Sequence, residues 1–197
     1  MTESSNSICV YCASSRASDP EYREAARELG RVLALNGYSI IYGGGAVGSM
    51  GALADGALAH GGTVTGVLPE FMMNLEWGHP DLSELRVVED MRVRKHMMLS
   101  ESCGVVALPG GSGTLEELFE ALTLKRLGLY THPIILVNTR GYFAMLAGFL
   151  EHVVAERFMD DRHRLMWQIV EAPEEVPEAL RTAPAWSPES SRFATVG

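Results

Sequence analysis

The sequence predicts an α/β domain of Rossmann-like type, with a mainly parallel sheet and helices on both faces. Three observations carry this reading. Apolar runs of strand length alternate with segments of helical periodicity over almost the whole chain, which is the pattern of repeated βαβ units. The 197 residues suit one domain rather than two. Two glycine-rich turns each join a strand to a helix, as ligand-binding turns of α/β sheets do.

The first strand lies around Ile8 and Val10 and leads into a polar loop, Ala13 to Ser18. Asp19-Pro20 starts a helix, because Asp accepts free backbone N–H groups and Pro fits the first helical position without losing a needed donor. Ala25, Ala26, Leu29, Val32 and Leu33 form its apolar stripe, and Asn36-Gly37 ends it. A strand from Ser39 to Tyr42 runs into Gly43-Gly44-Gly45, and a helix of small residues follows to about His60, stopped by Gly61-Gly62. Thr63 to Leu68 is the third strand. Leu85 to Val88 is the fourth, after an irregular stretch with Trp77, Gly78 and Pro80. A helix over Asp90 to Glu101 precedes a strand from Gly104 to Leu108, a loop from Pro109 to Gly113 and a helix from Thr114 to Leu127. Ile134 to Val137 is a strand and Tyr142 to Glu156 a helix; Gln168 to Val170 and Pro173 to Leu180 add a last strand and a short helix. These elements place the domain at residues 1–182, with 183–197 a flexible Ser- and Pro-containing tail.

Charge and apolar patterning exclude several function classes. Sixteen basic against 25 acidic residues give a net charge of −9 without a basic tail, a poor match to nucleic acid or an anionic membrane surface. No apolar run approaches the roughly 20 residues that span a bilayer, and the N-terminal MTESSNS lacks the features of a secretion signal, so a cytoplasmic protein is expected. Cys9 and Cys12 have C-x-x-C spacing, but residues three apart in a strand point to opposite faces, and no second cysteine or histidine pair completes a zinc site. They are read as small buried residues, like Cys103, and His79, His132 and His163 as structural or exposed. No metal is expected.

The two glycine-rich turns carry the chemistry. Gly43-x-Gly45-x-x-Gly48 matches the dinucleotide pattern, yet it follows the second strand, and Glu70 is displaced from the expected acidic position. Ser49 stands where a P-loop would have Lys, which excludes a P-loop NTPase. Pro109 to Glu117, PGGSGTLEE, is more specific: its glycines admit a ligand close to the backbone, and the free N–H groups of the following helix suit a phosphate. Thr114 adds a hydroxyl. Leu115, Leu118, Phe119 and Leu122 form the core stripe of that helix, while Glu117 lies one turn in, beside the anion site. A carboxylate there opposes phosphate binding, which favours a chemical role; Glu116 and Glu120 are read as complements of the helix dipole. Met91 to His96 is the densest basic cluster, and its helix leads into the strand before Pro109.

Arg94-Lys95 followed by PGGSGTLEE resembles the signature of the LOG family of cytokinin riboside 5′-monophosphate phosphoribohydrolases, whose motif reads PGGxGTxxE. The resemblance extends to YCASS at Tyr11 to Ser15, YGGGAVGSMG at Tyr42 to Gly51 and MRVRK at Met91 to Lys95. Ala13 and Ser49 depart from the family's usual Gly and Leu. Lysine decarboxylase, a label often given to such proteins, has no support here: the two lysines, Lys95 and Lys125, lack a pyridoxal phosphate setting. The resemblance implies hydrolysis of the N-glycosidic bond of a purine nucleoside 5′-monophosphate, adenylate or its N6-prenylated form, without a cofactor. It implies Glu117 and Arg94 as catalytic residues. Gly44, Gly45, Lys95, Gly110, Gly111, Ser112, Gly113 and Thr114 would bind substrate, with Gly111 to Thr114 on the 5′-phosphate. It also implies a homodimer with shared active sites. A non-catalytic nucleotide-binding protein is the first alternative and an NAD-dependent oxidoreductase the second.

Overall fold

The computed structural model describes residues 6–73 and 78–194; Trp77 lies outside them. Among these residues seven strands, β1 (Ser7–Tyr11), β2 (Ser39–Tyr42), β3 (Val64–Pro69), β4 (Glu84–Val88), β5 (Val105–Ala107), β6 (Ile134–Val137) and β7 (Gln168–Val170), form one sheet. Their spatial order is β4-β3-β2-β1-β5-β6-β7, and every pairing is parallel. The parallel sheet is the one that the alternation of strands and helices predicts. Among the described residues six α-helices cover it: α1 (Pro20–Leu35), α2 (Gly48–Leu58), α3 (Met91–Ser100), α4 (Ser112–Arg126), α5 (Ala144–Ala155) and α6 (Val176–Thr182).

Side-chain alternation along β1 divides two cores. Ile8, Val10 and Cys12 pack with α1, α2 and α6, whereas Cys9 and Tyr11 pack with α3, α4 and α5. The C-x-x-C pair is therefore split across the sheet, and its thiols are free and buried. Among the described residues no group of three or more His, Cys, Asp or Glu is placed to hold a metal.

Local signals set the helix ends. The Asp19 carboxylate accepts the Glu21 N–H at 3.0 Å, and the chain leaves α1 through Gly37 at φ 76°. Gly30 and Gly56 let α1 and α2 touch backbone to backbone: a Cβ on Gly30 would stand 2.1 Å from the Leu53 carbonyl oxygen, and one on Gly56 2.0 Å from that of Arg27.

Three sequence expectations need correction. The loop after β5 is shorter than Pro109 to Gly113, because α4 starts at Ser112 with Gly111 as its cap. First-turn N–H groups need no helical partner, so the weak helix propensity of Ser112 and Gly113 is tolerated there. Phe119 is 38% exposed, since the buried face of α4 runs through Thr114, Glu117, Leu118, Ala121, Leu122 and Lys125. The helix placed at Pro173 to Leu180 begins with a 3-10 turn, Pro173–Glu175, and becomes α-helical only at Val176. Beyond α6 the chain returns to α4, where the Trp186 indole donates to the Lys125 carbonyl at 2.7 Å and Arg126 donates to the Ala194 carbonyl at 2.9 Å.

Candidate active site

The strand order reverses between β1 and β5. The chain leaves β1 toward α1 on one face and β5 toward α4 on the other, so a crevice opens at the carboxyl ends of these two strands. One wall is the loop Cys12 to Ser15; the other is the start of α4. Between them lies a cavity of about 410 Å³ lined also by Arg94 and Glu117.

Gly111 caps α4 without a side chain, and no hydrogen bond within the protein engages the N–H groups of Ser112, Gly113 and Thr114 among the described residues. Nothing lies within 4 Å of where a Cβ would stand on Gly111 or Gly113, so the helix end is open to an incoming group. At Gly110 a Cβ would meet the Thr114 hydroxyl at 2.1 Å, so this glycine lets the loop close over Thr114.

Glu117 and Arg94 meet at the base of the cavity, 6% and 4% exposed. Arg94 projects from the first turns of α3, whose start is fixed by the Asp90 carboxylate accepting the Val93 N–H at 2.8 Å. Two arms of its guanidinium are committed to backbone: Nε donates to the Val67 carbonyl at 3.0 Å and Nη2 to the Gly43 carbonyl at 3.3 Å. The remaining Nη1 faces Glu117 Oε1 at 3.5 Å. Burial pushes the Glu117 carboxyl up to about 7, with Arg94 opposing the shift. The site thus holds a carboxylate whose burial favours its neutral form and whose Arg94 partner favours its ionised one.

The other expected site residues lie around this centre rather than in it. Lys95 turns away from the cavity and pairs with Glu116 at 2.5 Å and Glu120 at 2.7 Å. Gly44 and Gly45 anchor a neighbouring segment: the His79 N–H donates to the Gly44 carbonyl at 3.0 Å, and Gly45 bridges to Gly78. His79 is buried and bonded to Asp55 at 3.0 Å.

Sequence reasoning missed the specific function of Gly43. A Cβ there would stand 2.1 Å from Arg94 Nη2, so the glycine is the seat of the guanidinium. Its place in a GGG run at a strand end was the available signal, but it pointed to a dinucleotide turn. Met50, Met72 and Met91 make an apolar wall of the cavity, and nothing in their spacing announces it.

The sequence profile of the family described as possible lysine decarboxylase matches residues 50–180. A cytokinin riboside 5′-monophosphate phosphoribohydrolase of Rhodococcoides fascians is 42% identical over 154 residues, 78% of each chain. The chain belongs to the LOG family. Other LOG relatives are LOG7 of Arabidopsis thaliana, which bears the same enzyme name and is 40% identical over 92% of this chain and 82% of its own, and LOGL6 of Oryza sativa subsp. japonica, described as a probable enzyme of this kind, 37% identical over 94% and 73%. Among solved structures, the molybdenum cofactor carrier protein of Chlamydomonas reinhardtii superposes with a TM-score of 0.70 over 90% of this chain and 96% of its own. At 22% identity that likeness bears on the fold alone. The decarboxylase wording of the LOG profile finds no lysine in the cavity, because Lys125 is buried against the His132 carbonyl and Lys95 is held by two carboxylates.

Proposed function

We propose that this LOG-family protein is a phosphoribohydrolase that cleaves the N-glycosidic bond of adenosine 5′-monophosphate or its N6-prenylated form, releasing free base and ribose 5-phosphate. The observation that carries this reading is the buried Glu117, faced by Arg94 Nη1 at 3.5 Å and set one helical turn from an open helix N-terminus. The names of the relatives support the same reaction.

The 5′-phosphate sits on the N–H groups of Ser112, Gly113 and Thr114, where the helix end favours an anion. As the C1′–N9 bond breaks, its electron pair leaves with the base and the ribose becomes oxocarbenium-like. Ionised Glu117 stabilises that cation, takes a proton from the attacking water as the C1′–O bond forms, and returns the proton to the leaving base. Arg94, tied to two carbonyls, orients the carboxylate through Nη1. Lys95 contributes only at second hand, by neutralising Glu116 and Glu120. Gly44, Gly45 and Gly110 shape the surrounding loops. None of these steps requires a cofactor.

A homodimer is part of the proposal. Met145, Phe149 and Phe158 are exposed on and just after α5, an apolar surface suited to a second copy. A cytoplasmic location agrees with the finding that no helix among the described residues is long and apolar enough to cross a membrane.

Incubation with adenosine 5′-monophosphate and with isopentenyladenosine 5′-monophosphate, followed by chromatography for free base and ribose 5-phosphate, tests the reaction. Release of both products supports it, and the absence of free base from both substrates refutes it. The pH profile tests the group. Because the ionised carboxylate is the active form, kcat/KM should rise with pH, reach half its plateau near pH 7, and fall about tenfold per unit below that. A flat profile from pH 5 to 8 would contradict a gating role for Glu117.

A further inference from the structure

A second, smaller cavity of about 220 Å³ adjoins the first, and Glu117 does not line it. The two cavities share Ala13, Ser15 and Gly111, so a group bound in the larger one at the start of α4 borders the smaller one. The smaller one is a slot walled by Tyr22 and Tyr142, whose rings meet edge to face at 5.9 Å, and by Pro109. Its polar rim is already engaged. Tyr142 donates to the Gly110 carbonyl at 2.5 Å, the Ser15 hydroxyl accepts the Ala17 N–H at 3.3 Å, and the Ser18 hydroxyl donates to the Ser15 carbonyl at 3.4 Å. No Lys or Arg lines the slot among the described residues; Arg140 lies over the Tyr22 ring, 6.0 Å from its centroid, and pairs with Glu21 and Asp19.

From this we infer that the slot is a subsite for an uncharged aromatic ring esterified to the 5′-phosphate, so that the protein binds nucleoside 5′-phosphodiesters as well as monoesters. The inference rests on the proposed placement of the phosphate at α4. The chemistry follows from the walls. The nearest cation, Arg140, is held by Glu21 and Asp19, so a second phosphate would be desolvated with little compensation, whereas a planar ring gains contact with two tyrosines. The nucleoside does not itself fill the slot while its C1′ faces Glu117, because Glu117 lines the larger cavity and not the slot.

Two adenylate diesters of equal charge isolate the ring: adenosine 5′-(methyl phosphate) and adenosine 5′-(phenyl phosphate). Their inhibition constants against adenylate cleavage, and their dissociation constants by calorimetry, should favour the phenyl ester by about tenfold, a modest return for burying one ring. Tyr22→Ala should abolish that preference while leaving the rate on adenylate unchanged. Tyr142→Phe, which keeps the ring and loses only the hydroxyl, should retain it. Equal affinities for the two esters in an enzyme that cleaves adenylate would overturn the subsite and leave the hydrolase reading intact. Failure to cleave adenylate would overturn the hydrolase reading, while calorimetry would still compare the esters. A Tyr22→Ala variant that weakens self-association in gel filtration and leaves the ester preference unchanged would show that a second copy fills the slot, which also overturns the proposal.

Discussion

Replacing Glu117 with Gln is expected to lower kcat at least about 100-fold, in the range lost when a general base is removed, while KM for adenylate changes little. Gln keeps the shape of the side chain but cannot carry the charge that offsets a cationic sugar or accept the proton of water. Its effect therefore falls on the transition state rather than on ground-state binding. Glu116→Gln is the internal control. That residue lies about 100° round the helix from Glu117, is exposed, and points to Lys95, which keeps Glu120 as a partner. It should stay within about threefold of the parent, as exposed ion pairs contribute little. Steady-state rates on adenylate, with circular dichroism to establish folding, make the comparison. An unchanged kcat in Glu117→Gln would remove the carboxylate from the mechanism.

The second large effect is expected at a residue with no functional side chain. In Gly43→Ala the new methyl would stand 2.1 Å from Arg94 Nη2 and 3.1 Å from the Met50 ε-methyl, so the guanidinium must leave its seat. The backbone does not resist the change, because Gly43, unlike Gly44, lacks a positive φ. Loss of the Gly43 and Val67 anchors lets Arg94 swing away from Glu117, and activity should fall about 100-fold, since small misplacements of a positioning group cost that much. Arg94→Lys keeps the charge but has no planar fork to reach two carbonyls and a carboxylate together, and should fall to a similar level. The double variant should then be no worse than either single one, because both remove the same interaction. Losses that multiply in the double variant would mean that Gly43 acts independently of Arg94.

The fold was legible because it depends on local patterns. Strands β2, β6 and β7 occupy the segments that their apolar runs mark, and the Asp19-Pro20 start of α1 uses the cap chemistry its residues announce. The beginning of α4 was less legible, since Ser112 and Gly113 are weak helix formers whose N–H groups need no helical partner at that position. In the site, the PGGSGTLEE run displayed Glu117 and the open helix end on one short segment. What stayed hidden depends on contacts distant in sequence. Arg94 is seated 51 residues away on Gly43, Lys95 is drawn off by carboxylates of another helix, and Met50, Met72 and Met91 converge from three separate segments. Periodicity within one element carries no information about such meetings.

The central claim is that binding a 5′-phosphate at the start of α4 aligns the glycosidic bond with Glu117. Binding energy from this non-reacting group is used to position the reacting one, so its removal should lower kcat as well as affinity. The direct measurement is the initial rate of base release against concentration for adenosine and for adenosine 5′-monophosphate under one condition. The account predicts that kcat/KM for adenosine falls at least about 1,000-fold below that for the monophosphate, the scale of losing a well-used anion contact. Comparable efficiency on the two would contradict it, because the open end of α4 would then not be a phosphate site.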